Sequence, residues 1–214
     1  MPISIQEAKE LLVEIIVTKN GQLMGKGTAF WININGEFRL ITAAHVIWPS
    51  GNIPSSEVVR VDWRSYSAGG GQNQIMVHSH PNGNCCDYAS IDFVALGINS
   101  PSFPFVLPST NLQCDDGVRC LGFPLGKAGN FVGGQLFVSI DVGNVIEDRP
   151  LKCHQLLVSG SSYQGCSGGP VLKYVDEDTV SIEVYGLICG KPDIDLERHS
   201  LVDGVVILSS DEFT

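Results

Sequence analysis

The chain has 214 residues, of which 43% are hydrophobic and 17% charged, a composition that is typical of a folded globular protein and excludes a disordered one. With 13 Lys and Arg against 23 Asp and Glu, its formal net charge of −10 disfavours nucleic acid and anionic membrane surfaces as general partners, because both would repel it. No apolar run approaches the roughly 20 residues that span a bilayer, and the first residues lack the basic start and apolar core of a secretory signal.

The cysteines indicate a compartment. There are seven of them, an odd number. In a chain of this length without a visible signal peptide, we interpret them as reduced thiols and not as a disulfide framework. We therefore predict a cytoplasmic protein without a membrane anchor. The sequence carries no signal for its oligomeric state.

Short strand-like runs separated by turn residues dominate the chain. A helix is predicted only near the start, over roughly Ile5 to Leu12, where the composition favours helix. Asn20-Gly21 and Asn35-Gly36 separate apolar runs and predict two β-hairpins. The later strand-like runs are QIMVH, DFVALGI, GVRCLGF, GQLFVSIDVGNVI, HQLLVS, GPVLKYV, TVSIEVYGLI and GVVILS. So many short strands predict an all-β fold, either a barrel or a sandwich.

Three segments are predicted to be loops. The first is Pro49 to Ser56, and the second is Ser65 to Asn73, which is rich in glycine. The third, Asn99 to Asn111, contains three prolines and lies near the middle of the chain. We predict that this third segment links two β units, one over about 13–98 and the other over 112–214. The acidic run Asp176 to Asp178 is expected to form a solvated hairpin tip.

The stretch GCSGGP, Gly165 to Pro170, raises the possibility of a serine nucleophile at Ser167. A serine hydroxyl needs a general base and a group that orients this base, together with hydrogen-bond donors for the oxyanion that forms during attack. Glycines beside Ser167 leave the neighbouring amides open to a substrate carbonyl. The best candidate base is His45, which follows an apolar run that ends in two small alanines.

The candidate for the orienting carboxylate is Asp92. It directly precedes the apolar run Phe93 to Leu96, so we expect it to be partly buried at a strand edge, where a carboxylate needs a partner. Asp87 is the competitor, but its neighbours are polar and predict a solvent-facing side chain. For either aspartate, the alternative is a structural role in a turn or a helix cap.

Three motifs, TAAHV, IDFVAL and GCSGGPV, resemble in this order the trypsin-like serine peptidases of the chymotrypsin fold. GTAFWI and CLGFPLG are similar to the intracellular and bacterial branch, which includes the protease domains of HtrA-type enzymes. No room for a PDZ-type domain is expected in the short tail after Gly190. The resemblance covers about Gly25 to Gly190. It implies two antiparallel Greek-key β-barrels with the active site in the cleft between them.

The resemblance also implies a role for each site residue. Ser167 would be the nucleophile, His45 the general base and then the general acid, and Asp92 the group that orients the imidazole. The backbone N–H groups of Gly165 and Ser167 would form the oxyanion hole. The implied activity is that of a serine endopeptidase acting on a protein or peptide substrate without a cofactor or a metal. The alternatives are an inactive relative that binds peptides in the same cleft, and an esterase or acyl transferase.

The residue before the candidate nucleophile departs from the pattern of the digestive and clotting relatives. Those enzymes have an aspartate there, which pairs with an N-terminus created by cleavage. Cys166 cannot form this ion pair, so we predict that activity needs no N-terminal processing. Cys166 could itself be a nucleophile, but it lies one residue too early, and its side chain is expected to point away from His45.

The residues expected to line the primary specificity pocket belong to two segments, one just before the nucleophile loop and one after it: Ser161, Ser162, Gly186, Ile188 and Cys189. None is acidic, so a preference for Arg or Lys before the cleaved bond is not expected, and a small or medium apolar residue is. Zinc could be bound by His78, His80, Cys85 and Cys86, or by Cys114, Cys120, Cys153 and His154. Neither set has the spacing of a zinc knuckle, so we expect no metal site.

Overall fold

The computed structural model describes residues 1–48, 54–66, 69–79, 88–110, 112–124, 131–132, 135–136, 138–151, 155–159, 165–190 and 202–207. The chain starts with a short strand, β1 (Pro2–Ser4), and the predicted helix, α1 (Ile5–Glu10). Ser4 begins this helix as its N-cap, and the Glu7 side chain accepts a hydrogen bond from the Ser4 amide in return, a capping box. In the described part of the chain, no helix is both long and apolar enough to cross a membrane.

Six antiparallel strands close a first β-barrel. Its members are β2 (Leu12–Lys19), β3 (Gln22–Ile34), β4 (Glu37–Ala43), β5 (Ser56–Ser65), β6 (Gly69–Ser79) and β7 (Tyr88–Ile91). Their order around the barrel is β3-β2-β5-β6-β7-β4, and β4 pairs again with β3 to complete the ring. Two one-turn helices follow strands of this barrel: α2 (Ala44–Ile47) continues from β4, and α3 (Phe93–Leu96) follows β7.

Both Asn-Gly hairpins are confirmed. Asn20 and Gly21 have φ values of 52° and 78°, and Asn35 and Gly36 have 53° and 87°. Two consecutive residues with positive φ match the right-handed twist of the adjoining strands, which explains why Asn-Gly is favoured at these turns.

The expected loop from Ser65 to Asn73 is wrong. β5 continues to Ser65 and β6 begins at Gly69, so the glycines belong to a strand. A Cβ atom added at Gly71 would lie 3.1 Å from the indole nitrogen of Trp63, the residue that pairs with it across the sheet. The indole thus covers the bare glycine backbone, and this cross-strand contact is invisible in the local composition.

The expected strand DFVALGI is also wrong at this point, because Phe93 to Leu96 form the helix α3. Asp92 is its N-cap and accepts a hydrogen bond from the Ala95 amide at 3.0 Å. Gly97 ends the helix with a φ of 72°. A capping aspartate and a left-handed glycine five residues apart therefore outweigh the strand propensity of the apolar residues between them.

Six further strands close a second barrel. After the short strand β8 (Phe105–Val106), the second half contains β9 (Gly117–Gly122), β10 (Phe131–Val132), β11 (Gln135–Leu136), β12 (Ser139–Leu151), β13 (Gln155–Ser159), β14 (Pro170–Tyr174), β15 (Thr179–Gly190) and β16 (Val202–Ile207). The ring order is β14-β9-β12-β13-β16-β15, and β15 pairs back to β14. β10 and β11 form a separate hairpin. The all-β prediction is confirmed.

Two short strands connect the barrels. β8, inside the expected linker, pairs in parallel with β3 of the first barrel and with β15 of the second. β1 pairs with β15 although it lies at the start of the chain. The ring of Phe105 packs edge-on against Phe30 with centroids 5.9 Å apart, and both side chains are fully buried. The apolar core thus extends from the first barrel into the contact between the two.

Candidate active site

The loop around Ser167 is held in a conformation that requires glycine. Gly165 and Gly168 have φ values of 98° and 85°, in the region that side chains disfavour. A Cβ atom at Gly168 would lie 2.2 Å from the Thr28 carbonyl oxygen and 2.3 Å from Thr42 Oγ1. Since neither neighbour is the end of a flexible chain, this position has no space for a larger residue. The glycines of GCSGGP therefore bring the loop against the first barrel.

His45 lies in the one-turn helix α2, directly after β4. Its imidazole is half-buried, and this burial lowers the pKa of the ring because a protonated imidazole would lose hydration. None of the described residues forms a side-chain hydrogen bond or an ion pair with the His45 imidazole. The neutral ring is therefore available as a proton acceptor.

The chain around His45 meets the chain around Ser167. A Cβ atom added at Gly27 would lie 2.6 Å from the Ser167 carbonyl oxygen and 2.7 Å from Cγ2 of Val46, the residue after His45. On the other side, a Cβ atom at Gly168 would lie 2.8 Å from the Ala43 amide nitrogen. The small size of Gly27 and Gly168 thus lets the His45 helix of one barrel approach the serine loop of the other.

Asp92 does not have the environment expected from the sequence. Its side chain is exposed and caps α3, so the expected partial burial is wrong. In the antiparallel pair of β7 and β4, Tyr88 is opposite Ala43 and Ile91 is opposite Leu40. Asp92 follows Ile91, which places it on the order of 13 Å along the strand from the Tyr88–Ala43 pair, at about 3.3 Å per residue.

Asp87 lies outside the described residues, but the strand β7 begins at the next residue of the chain. Asp87 directly precedes Tyr88, which forms the end of β7 that pairs with Ala43, two residues before His45. Along the chain, Asp87 therefore adjoins the end of β7 that pairs near His45, whereas Asp92 adjoins the other end. The two aspartates differ in the element that follows them: YASI after Asp87 forms the strand β7, whereas FVAL after Asp92 forms the helix α3.

Three of the residues expected to line the specificity pocket are described, and they lie on a strand that is hydrogen-bonded to the serine loop. Gly186, Ile188 and Cys189 lie on β15. The Ile188 carbonyl accepts a hydrogen bond from the Gly168 amide at 2.7 Å, and the Ile188 amide donates one to the Gly169 carbonyl at 2.9 Å. These two bonds fix β15 to the serine loop. Ser161 and Ser162 are outside the described residues.

Cys166 points into the second barrel. Its side chain is fully buried and packs with the core residues of that barrel, beside Gly122, where an added Cβ atom would lie 2.8 Å from the Cys166 Cβ. A thiol in this position is enclosed by apolar side chains. Its burial disfavours Cys166 as a nucleophile toward a peptide.

Each of the two possible zinc sites includes residues outside the described ranges. These residues are His80, Cys85 and Cys86 in the first set, and Cys153 and His154 in the second. Within the ranges that the structure describes, no three His, Cys, Asp or Glu side chains come together as a metal site would need.

No family model matches the sequence, and comparison with curated proteins gives no match. Comparison of the fold with solved structures does give matches. The serine endoprotease of Yersinia pestis superposes with a TM-score of 0.58 at 17% identity, over 97% of this chain and 63% of that protein. The active form of the Rv3671c protease from M. tuberculosis has a TM-score of 0.58 at 18% identity, over 95% of this chain and 78% of the protease. Human heparin binding protein has a TM-score of 0.58 at 12% identity, over 99% and 92% of the two chains.

These neighbours confirm the chymotrypsin fold that the motifs imply, with its two antiparallel barrels. The chain spans less than two thirds of the Yersinia protein. One neighbour is named for binding heparin and the other two for proteolysis, and one fold commonly hosts several functions. Activity therefore has to be argued from the site.

Proposed function

We propose that this protein is a serine endopeptidase that cleaves peptide bonds through an acyl-enzyme on Ser167. The observation that carries the proposal is the contact at Gly27, where the serine loop and the His45 helix meet from opposite barrels. A nucleophile on one barrel and a base on the other would act together on a peptide bound where the two barrels meet.

In the proposed reaction, Ser167 Oγ attacks the substrate carbonyl carbon while His45 takes the hydroxyl proton. The carbonyl oxygen becomes an oxyanion. The protonated imidazole then gives its proton to the amine, which leaves as the carbon–nitrogen bond breaks. Water, activated by the same imidazole, hydrolyses the ester and restores the serine.

The oxyanion would be bound by the backbone N–H groups of Gly165 and Ser167. Neither amide donates a hydrogen bond to another described residue, while the Gly168 and Gly169 amides donate to Ile188 and Cys166. Two amides beside the proposed nucleophile that no described residue accepts from match the arrangement that oxyanion stabilisation requires.

The orienting carboxylate has two candidates. Asp92 is the one that the motif order implies, but its exposure and its cap of α3 argue against contact with His45. The β7–β4 register favours Asp87, because it precedes the strand residue opposite Ala43. We assign the role to Asp87 and retain Asp92 as the alternative.

The substrate preference remains the one expected from the sequence. The described pocket residues Gly186, Ile188 and Cys189 carry no charge. Ser161 and Ser162, which complete the expected pocket, are also uncharged. An apolar residue of small or medium size before the cleaved bond therefore suits the site better than Arg or Lys.

The proposal is tested by incubating the protein with a peptide library derived from a proteome and identifying new termini by mass spectrometry. Wild-type protein is expected to cleave peptides. Ser167→Ala is expected to abolish cleavage, whereas the matched neighbouring variant Cys166→Ala retains it. Peptides bound by both wild type and Ser167→Ala but cleaved by neither would contradict the proposal and favour an inactive peptide-binding domain. Turnover of esters alone would favour an esterase.

A further inference from the structure

Thr28 is a fully buried polar residue at the contact between the barrels. It lies on β3, in the stretch GTAFWI, far from the serine loop in sequence. Its backbone amide donates a hydrogen bond to the Ser167 carbonyl at 2.8 Å. Its hydroxyl donates to the Gly165 carbonyl at 3.1 Å. One residue of the first barrel therefore bonds to the loop on both sides of Cys166.

The two bonds differ in what they require. Any residue other than proline supplies the backbone amide that reaches Ser167. The bond to Gly165 needs a side-chain donor, and a hydroxyl on a short side chain fits this fully buried position. Because glycine allows a wide range of backbone angles, Gly165 gains no restraint from its own side chain. Its φ of 98° is therefore fixed by its neighbours.

The direction of the Thr28 hydroxyl is itself determined. The Phe123 amide donates a hydrogen bond to Thr28 Oγ1 at 2.9 Å. That bond occupies a lone pair of the oxygen, so the hydroxyl hydrogen is left to point at Gly165. A threonine hydroxyl offers one donor and two lone pairs, and here the donor and one lone pair are used. Each buried group in this chain of bonds has a partner, which is what makes such a contact stable.

We propose that the Thr28 hydroxyl is a positioning group for the oxyanion hole: through its bond to the Gly165 carbonyl it holds the backbone so that the amides of Gly165 and Ser167 face the same substrate oxygen. This inference rests on the proposed peptidase function. Thr28 does not touch the substrate. Its hydroxyl acts on the oxyanion hole through the Gly165 backbone.

Thr42 provides a matched control. It is as fully buried as Thr28, and its hydroxyl donates a hydrogen bond to the Thr28 carbonyl at 2.7 Å. Thr42→Val and Thr28→Val each remove one buried hydroxyl at the same contact. Thr42→Val loses one hydrogen bond, and Thr28→Val loses two, those with Gly165 and Phe123. Only Thr28→Val removes the bond to Gly165. Thr28→Ser keeps the hydroxyl and loses a methyl group.

The test compares the rate of covalent labelling by a fluorophosphonate probe, kcat and KM for a cleaved peptide, and thermal stability. Thr28→Val is expected to lower the labelling rate and kcat by one to two orders of magnitude. Removal of one oxyanion donor lowers kcat about 10²-fold or more, and a donor that is only misplaced should lower it by nearly as much. KM is expected to stay near that of wild type, and Thr28→Ser to restore kcat. Thr42→Val is expected to lower thermal stability as well, by less than Thr28→Val because it loses one hydrogen bond and not two, with kcat largely kept.

A second readout separates this inference from the proposed function. Amide hydrogen exchange at residues 165–168 should be faster in Thr28→Val than in Thr42→Val, whether or not the protein is an enzyme. A wild-type protein that is never labelled would contradict the peptidase function. Labelling and exchange that Thr28→Val leaves unchanged, or a kcat that Thr42→Val lowers equally, would overturn the role of Thr28. If valine is not accommodated, Thr28→Ala removes the same hydroxyl without adding a methyl group.

Discussion

His45 illustrates how burial sets the chemistry of one side chain. The ring is half-buried, and none of the described residues stabilises its protonated form through a hydrogen bond or an ion pair. The loss of hydration therefore determines the direction of the shift, and the pKa of His45 lies below the ordinary histidine value of 6.5. A base of this kind is already neutral under physiological conditions.

This predicts the acid limb of the pH profile. The imidazole must be neutral to accept the serine proton, so kcat/KM should rise with pH as His45 loses its own proton and level off once it is neutral. With a lowered pKa, the half-maximal point of this limb should lie below pH 6.5. The measurement is kcat/KM for a cleaved peptide between pH 4.5 and about 8 in buffers of constant ionic strength. A midpoint clearly above 6.5 would mean that a nearby carboxylate outweighs burial.

The sequence predicts His45 and Ser167 as site residues but gives no sign of a role for Thr28. His45 and Ser167 lie in short motifs whose residue types suggest their chemistry. Thr28 lies in GTAFWI, where a threonine in a strand is unremarkable. Its contacts are with residues about a hundred or more positions away, Phe123 and Gly165. Only the packing of the barrels makes it distinctive.

The pairing of strand β7 with β4 favours one of the two aspartates as the partner of His45. The four residues of β7 pair with β4 in an antiparallel register, in which Tyr88 is opposite Ala43 and Ile91 is opposite Leu40. Asp87 precedes the end near His45. Asp92 follows the far end and begins α3. By composition FVAL after Asp92 suits a strand at least as well as YASI after Asp87, so composition does not show which aspartate precedes a strand and which caps a helix.

A pair of substitutions tests this assignment. Asp87→Asn is expected to reduce kcat on the order of 10⁴-fold, as expected when the group that orients the imidazole loses its charge. Asp92→Asn should retain activity and stability, because asparagine caps helices about as well as aspartate, while Asp92→Ala should lose about 1 kcal/mol of unfolding free energy. The measurements are peptide hydrolysis and chemical denaturation. Loss of activity in Asp92→Asn with a normal rate in Asp87→Asn would restore the aspartate implied by the motif order.

Elements were predictable where the signal is local. The Asn-Gly turns determine their own backbone angles, so the hairpins at Asn20 and Asn35 followed directly from the sequence. The strand through Gly69 to Gly71 did not, because the indole of Trp63 on the neighbouring strand stabilises it. α3 was missed for a different reason: its caps, Asp92 and Gly97, lie at the two ends of an apolar run that also suits a strand.

At the scale of the whole molecule, the site exists only where the two barrels meet. Each barrel closes on itself, and the serine loop of the second reaches β3, β4 and α2 of the first through glycines that leave space for the approach. The order of the motifs implied this arrangement through the family resemblance. The distances could not be predicted, since they depend on how Gly27 and Gly168 pack against residues of the opposite barrel.

Activation of Ser167 by His45 across the contact between the barrels can be tested by labelling the wild-type protein with a fluorophosphonate and mapping the adduct by tandem mass spectrometry. We predict a single phosphonylated residue, Ser167, and no adduct in His45→Ala, in which the hydroxyl has no base. Labelling at another serine, or equal labelling with and without the imidazole, would contradict a nucleophile activated across the contact between the barrels.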